Sequence, residues 1–241
     1  MIIRPKLPTF YHFSELELNN IQRDFQVHTN WTDGEGSIND VLLSADKAGI
    51  SEIAFTEHAR SSSTYYPDFF LEVDRYLLEF ESLKVYRGFE IKILNNEGLL
   101  DMTKDMYSSA DLILGSVHSF PLPSGDVANV RNFSEKDAWD IEFNLAKSIV
   151  TKSKADVLSH AGGMCIRAFN SFPMEYFDEL IYLCSQNNCP FEINASYHFG
   201  IIDNLIELLE KYNPLVSIGS DAHKINEIGL CRDLLLDRLK L

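Results

Sequence analysis

The chain is poor in cysteine, and Cys165, Cys184, Cys189 and Cys231 form no CxxC pair. That spacing excludes a thiolate zinc finger and reads as reduced, packed thiols. Long apolar runs are also missing. No stretch reaches the roughly 18 consecutive apolar residues of a membrane helix, and the opening MIIRPKLPTFYHF lacks the apolar core and small-residue cleavage site of a secretory leader. A soluble cytoplasmic protein without membrane attachment is expected. Positive charge is scarce: 21 Lys and Arg against 36 Asp and Glu leave a net −15. A nucleic-acid partner is thereby disfavoured, because gripping a phosphate backbone requires a basic face. Neither a Gly-rich loop after the first strand nor a Gly-x-Ser-x-Gly elbow occurs, so no dinucleotide fingerprint or serine nucleophile is indicated. Linkers, low-complexity segments and internal repeats are absent, and residues 1–241 read as one domain with an irregular lead-in over 1–20.

What the chain does contain is an alternation of short β-rich runs with helical patterns. Strands are expected at Asp24–His28, Glu52–Glu57, Val85–Ile93, Leu112–His118, Asp156–His160, Phe191–Ala195 and Leu215–Asp221. Helices are expected at residues 38–48, Phe69–Leu83, Leu100–Ala110, Glu135–Lys152, Met174–Asn187, Ile202–Tyr212 and Gly229–Leu239. The first carries its own punctuation: Ser37 can cap it, Asp40 stands in the capping-box position, and Gly49 follows its end. Repeated βα units imply an α/β fold with a parallel sheet. Polar residues gather after nearly every strand, which favours a barrel whose loops converge on one face.

Five of the seven histidines, His28, His58, His118, His160 and His223, lie at or within two residues of an expected strand's carboxyl end. Asp33, Glu57, Glu90 and Asp221 accompany them. A core cannot bury so many imidazoles and carboxylates unpaired, since each unsatisfied polar group costs on the order of 1–3 kcal/mol. Divalent cations satisfy such a set together, and mixed nitrogen and oxygen donors suit Zn, Mn or Fe. With three or four ligands per catalytic ion, the eight donors His28, Asp33, His58, Glu90, His118, His160, Asp221 and His223 suffice for about two or three ions.

The segments DFQVHTNWTDGEGS (24–37), IAFTEHAR (53–60), GFEIKIL (88–94), LGSVHS (114–119), VLSHAGG (157–163) and SIGSDAH (217–223) together resemble the polymerase and histidinol phosphatase (PHP) family. The resemblance implies a distorted (β/α)7 barrel, TIM-like, with a metal cluster at the carboxyl face of the strands, and metal-dependent phosphoester hydrolysis. Carried over residue by residue, it implies one ion held by His28, Glu90 and Asp221. Glu90 would bridge to a second at His118 and His160, and a third would lie among Asp33, His58 and His223. The opening motif departs from the family's His-x-His: Gln26 stands at its first position, where an amide oxygen would be a weaker, neutral ligand. Glu57, beside His58, is expected to support the site or to pack against the first strand rather than bind an ion directly.

Adjacent cations would acidify a shared water and neutralise charge on the phosphoryl group, so no protein nucleophile is required. Glu90 as bridge, with Asp33 or His223 as proton donors, are the candidate catalytic residues. Arg60, Arg167 and Lys224 are candidate phosphate contacts, with Arg capable of two parallel hydrogen bonds. His198 is a candidate substrate contact, Glu192 and Asn194 share one strand face near the ligands, and Trp31, Tyr65 and Tyr66 are candidate pocket walls. The leading expectation is a phosphatase acting on a small phosphorylated substrate such as histidinol phosphate. A phosphodiesterase or exonuclease and a catalytically weakened metal-binding module are the alternatives, and the sequence implies no particular oligomeric state.

Overall fold

A computed structural model describes residues 7–77, 79, 80, 82–122 and 126–241. Parts of the expected lead-in and of the Phe69–Leu83 helix lie outside these residues. The strands are β1 (Tyr11–His12), β2 (Arg23–Val27), β3 (Glu52–Ala59), β4 (Lys84–Lys92), β5 (Leu112–Ser116), β6 (Phe120–Pro121), β7 (Val127–Ala128), β8 (Val157–Leu158), β9 (Phe191–Asn194) and β10 (Leu215–Gly219). The helices are α1 (Ile38–Lys47), α2 (Tyr66–Tyr76), α3 (Lys104–Ser109), α4 (Glu135–Lys152), α5 (Gly163–Phe169), α6 (Met174–Asn187), α7 (Ala195–His198), α8 (Ile202–Tyr212) and α9 (Leu230–Leu239).

The main sheet runs β1-β10-β9-β8-β5-β4-β3-β2, with every pairing parallel except the antiparallel β1 at one edge. Its seven parallel strands are the seven expected from the sequence. The two ends of the parallel run approach each other: His28 N donates to Ala222 O at 2.9 Å and Asp221 N to Gln26 O at 2.9 Å, around a parallel bridge between Val27 and Ala222. Asp24 reinforces that seam by accepting from Ser220 N and Gly229 N, each at 2.9 Å. No helix among the described residues is long and apolar enough to cross a membrane.

Alternation along each strand builds two different faces. Ile53, Phe55, Phe89, Ile91, Ile113, Leu158, Phe191, Ile193 and Ile218 join the large apolar cluster that the helices cover. Opposite them, Phe25, Ala54, Tyr86, Leu112, Leu114 and Val157 form a small separate cluster with Phe10 packed against it. Phe10 meets Phe25 edge-on and Phe25 meets Tyr86 edge-on, at 5.9 and 5.8 Å. Two residues further along these strands the same face turns polar at Thr56 and Ser116, and then reaches His58, Glu90 and His118. Within the expected irregular lead-in, β1 and a 3-10 turn at Phe13–Glu15 form, and Phe10 joins this inner cluster.

α1 starts as expected, with Ser37 Oγ accepting from Asp40 N and Asp40 reaching back to Ser37 N. Two differences bear on the site. β8 stops at Leu158, short of the expected His160, because His160 takes a left-handed turn at φ 22°. The unexpected helix α5 follows, and Glu142 of α4 holds its first turn by accepting from Met164 N at 3.0 Å and Cys165 N at 2.7 Å. All four cysteines are buried free thiols, and burial pushes Cys165, Cys184 and Cys231 upward.

Burial also pushes the Glu142 carboxyl from 4.5 up to about 7, against the opposing hydrogen bonds from Cys165 and Met164. The folded chain therefore holds this proton more tightly than the unfolded chain, and the associated stability is full below about pH 4.5 and lost as pH rises to 7. Glu142→Gln should flatten that component. Between pH 5 and 8 the parent chain should lose up to about 3 kcal/mol more unfolding free energy than the variant, read by urea denaturation; parallel pH profiles would refute the clamp's titration.

Candidate metal centre

The strand register brings the donors together. His58 is the direct parallel neighbour of Glu90 across β3 and β4, so both leave the sheet at the same height. Glu90 is buried at the centre of the group. Its Oε1 lies 2.9 Å from His118 Nε2 and 2.5 Å from His160 Nε2, and its Oε2 lies 2.9 Å from His58 Nδ1 and 3.7 Å from His28 Nε2. His28 Nε2 is 3.2 Å from Asp221 Oδ1. Asp33 closes the outer side, 3.3 Å from His58 Nε2 and 3.4 Å from His223 Nε2. The rings of His58 and His223 each stack against His28 at 4.4 Å between centroids and lie 6.0 Å from one another, and His118 stacks on His160 at 5.1 Å.

All eight expected imidazole and carboxylate donors therefore converge. Among the described residues, two groups have donor atoms close enough to share an ion: His28, Asp33, His58 and His223, and His58, Glu90 and His118. The grouping differs from the three sets carried over by resemblance, since His28 joins the outer group and His58 faces both. Electrostatics mark the same centre. Burial opposes ionisation of Glu90, but the charges and hydrogen bonds of His118 and His160 pull its carboxyl well below the usual range. Burial also opposes protonation of His28 and His160, yet Asp221 with Glu90 lifts His28 to about 9, and Glu90 lifts His160 to about 10. The carboxylates thus demand positive charge, which a divalent cation supplies without the imidazole protons.

A metal fits these residues on an independent ground. Both ring nitrogens of His28 and Oε2 of Glu90 are buried without a hydrogen bond of ordinary geometry, although such groups are normally paired. Borderline nitrogen and oxygen donors in this number suit Zn, Mn or Fe.

The loop after β2 is shaped by what lies around it. Glu57 accepts from Thr29 N at 2.8 Å, from Thr29 Oγ1 at 2.6 Å and from Thr32 Oγ1, so it anchors the loop carrying Asp33, as expected. A Cβ on Gly34 would lie 2.5 Å from the His28 carbonyl oxygen, which explains the glycine there. Tyr65 donates to His58 O at 2.8 Å and Trp31 donates to Glu72 at 2.9 Å, with Trp31 and Tyr65 stacked behind the site.

All the donors but His28 line a cavity of about 190 Å³, walled further by Gly163, Met164, Arg167 and Tyr197. Arg167, exposed on α5, is among the residues lining it. Arg60 lines an adjoining hollow with Lys92, His58 and His118. Three expectations need correction. Lys224 lines a separate hollow with Glu35, Ser44, Lys47 and Ala48. His198 is fully buried, accepting from Asn194 N at 3.2 Å and donating to Ala161 O at 3.0 Å; burial drops it to about 4, and it has no nitrogen free for a substrate. Gln26 does not turn its oxygen to the cavity; that atom accepts from Asn194 Nδ2 at 3.0 Å. The residue missed beside His198 is Tyr197, whose ring lies 5.1 Å from His160. The short helix α7 puts successive residues on different sides, which an extended reading of ASYHFG does not anticipate.

A mostly parallel α/β sheet with clustered imidazoles and carboxylates at its strand ends defines a metal-site protein of the TIM-like type. Residues 24–213 match the PHP domain model, and the chain belongs to the PHP domain family. Asp221 and His223 lie beyond the matched segment but close the same centre. Among curated relatives, the DNA polymerase/3'-5' exonuclease PolX of Bacillus subtilis is 26% identical over 87% of this chain and 35% of its own length, so the chain spans about a third of that protein. A probable phosphatase of Caldicellulosiruptor bescii is 25% identical over 81% of this chain and 76% of its own length. The fold is similar to that of histidinol phosphate phosphatase from Lactococcus lactis, solved with zinc, L-histidinol and phosphate: TM-score 0.73 at 18% identity, covering 90% of this chain and 92% of that one.

Removing the Glu57 anchor strands the buried Thr29 N–H. Glu57→Ala should cost about 1–3 kcal/mol and speed amide exchange at Thr29 beyond the global loss; unchanged protection at Thr29 would refute the anchoring role.

Proposed function

We propose that the chain is a metal-dependent phosphatase that hydrolyses a small phosphomonoester. The observation that carries this reading is the convergence of eight donors on one centre, seven of them lining a single cavity together with the Arg167 guanidinium. By the family resemblance, His28, Glu90 and Asp221, then Glu90, His118 and His160, then Asp33, His58 and His223 would hold two or three divalent ions of the Zn, Mn or Fe class; donor spacing supports an inner set at His58, Glu90 and His118 and an outer one at His28, Asp33, His58 and His223. Such ions supply Lewis acidity toward a phosphoryl oxygen and lower the pKa of water.

The side chains do the rest. Arg167 grips two phosphoryl oxygens with parallel hydrogen bonds, and Tyr197 and Met164 wall the leaving group's side. With two ions bound, the Asp33–His223 pair, half-exposed at the cavity mouth and 3.4 Å apart, is free to hold the proton that the departing alkoxide takes up; with a third ion bound, the two residues serve as its ligands instead. The zinc and phosphate of the Lactococcus lactis structure support the reading, as does the match to the Caldicellulosiruptor bescii phosphatase, and histidinol phosphate is accordingly one candidate substrate. The PolX match favours the exonuclease alternative, against which stands the net −15.

Protein loaded with zinc or manganese should retain more than one ion per chain by elemental analysis and release phosphate from phosphomonoesters faster than it cleaves cyclic diesters or single-stranded DNA. Glu90→Ala should abolish both retention and turnover with an unchanged far-ultraviolet dichroism spectrum; full activity in chelated protein would sink the proposal. Arg167→Ala should raise KM for the preferred monoester about tenfold with a smaller change in kcat, and an unaltered KM would remove Arg167 from the phosphate site.

A further inference from the structure

Beneath the donors lies a polar layer that the hydrolytic reading leaves unused. Gln26, Glu192 and Asn194 are all completely buried. Asn194 Nδ2 reaches Gln26 Oε1 at 3.0 Å and Glu192 Oε2 at 3.1 Å. The same Glu192 Oε2 accepts the backbone N–H of His160 at 2.7 Å. Three side chains from β2 and β9 thereby end on the main chain of one donor residue.

That main chain requires holding. His160 sits at φ 22° and Asp221 at φ 57°, in the left-handed region that non-glycine residues enter only when their surroundings impose it. Both are donors, and both have their amides fixed through Gln26 or its partners: Asp221 N donates to Gln26 O at 2.9 Å, and His160 N donates to the carboxyl group that Asn194 ties to Gln26. Space for this arrangement is provided at Gly219, where a Cβ would lie 2.3 Å from Glu192 Oε1 and 2.9 Å from Gln26 Cβ. Gln26 therefore occupies the position of an expected ligand while its oxygen serves Asn194.

We infer that Gln26, Asn194 and Glu192 form a positioning relay that fixes the backbone of His160, and that Gln26 belongs to this relay instead of to the ligand set. The inference rests on the metal-dependent reading above. Outer partners of metal ligands typically change metal affinity 10–100-fold when removed. A neutral amide suits the relay because it accepts from Asn194 without adding a charge below Glu90 and Asp221, whereas an imidazole there cannot reproduce both the reach and the oxygen.

The test is zinc affinity, measured with zinc alone by competition against a chromophoric chelator, in the full chain and its variants. Glu192→Ala and Gln26→Leu should each weaken zinc binding 10–100-fold, and Glu192→Gln, which keeps an oxygen for the His160 amide, should stay within about threefold of the parent. Gln26→His should bind zinc no more tightly than the parent. Unchanged affinity in Gln26→Leu, or tighter binding in Gln26→His, would overturn the relay. If Glu192→Ala fails to fold, the two Gln26 variants and Glu192→Gln decide the matter. A purely structural role would lower the urea midpoint of these variants and leave zinc affinity intact. Phosphoester hydrolysis by the parent chain is read separately, so a chain that binds zinc but hydrolyses nothing refutes the phosphatase reading and leaves the relay standing or falling on the affinities.

Discussion

The whole centre is organised by one buried carboxylate. Glu90 lies within 3.7 Å of imidazole nitrogens from His28, His58, His118 and His160, and an anion so placed is tolerable only with concentrated positive charge around it. Everything nearby follows from that requirement. The parallel register brings His58 alongside, the turn after β8 swings His160 inward, and the seam between Gln26 and Asp221 draws the last strand's donor against His28.

The inner face of the sheet is graded to serve this anion. Phe25, Tyr86, Leu112 and Leu114 fill its lower part, a layer of hydroxyl and amide groups follows, and the donors crown it. The gradient separates two tasks that conflict in one place: apolar burial that stabilises the fold, and a polar cavity whose groups are costly to bury. Membership in the PHP family is consistent with the division, since the donors occupy the strand ends and loops while the scaffold beneath them is ordinary core.

Most of this was legible in the chain because it depends on local periodicity. All seven parallel strands, and helices such as Glu135–Lys152 and Met174–Asn187, follow from apolar spacing and caps, and the donors from their repeated position at strand ends. The illegible parts depend on long-range geometry. Nothing local marks Gly163–Phe169 as a helix, because its amino end is held by Glu142 from another helix. His198 reads as a site residue by proximity, but a one-residue turn buries it and exposes Tyr197 to the cavity. Gln26 reads as a weakened ligand until the partner of its oxygen, 168 positions away in sequence, is known.

The sequestered thiols have a consequence for metal selectivity. Cys165, Cys184, Cys189 and Cys231 are buried, and those with raised pKa values resist becoming thiolates, the form in which sulfur binds soft ions. A thiophilic ion such as copper(I) or cadmium reaching the cavity meets imidazole and carboxylate donors and the Met164 thioether on the wall, but none of these thiols. Thiolate is thereby kept out of the competition for the cavity's ions, and a soft ion gains sulfur there only from a thioether.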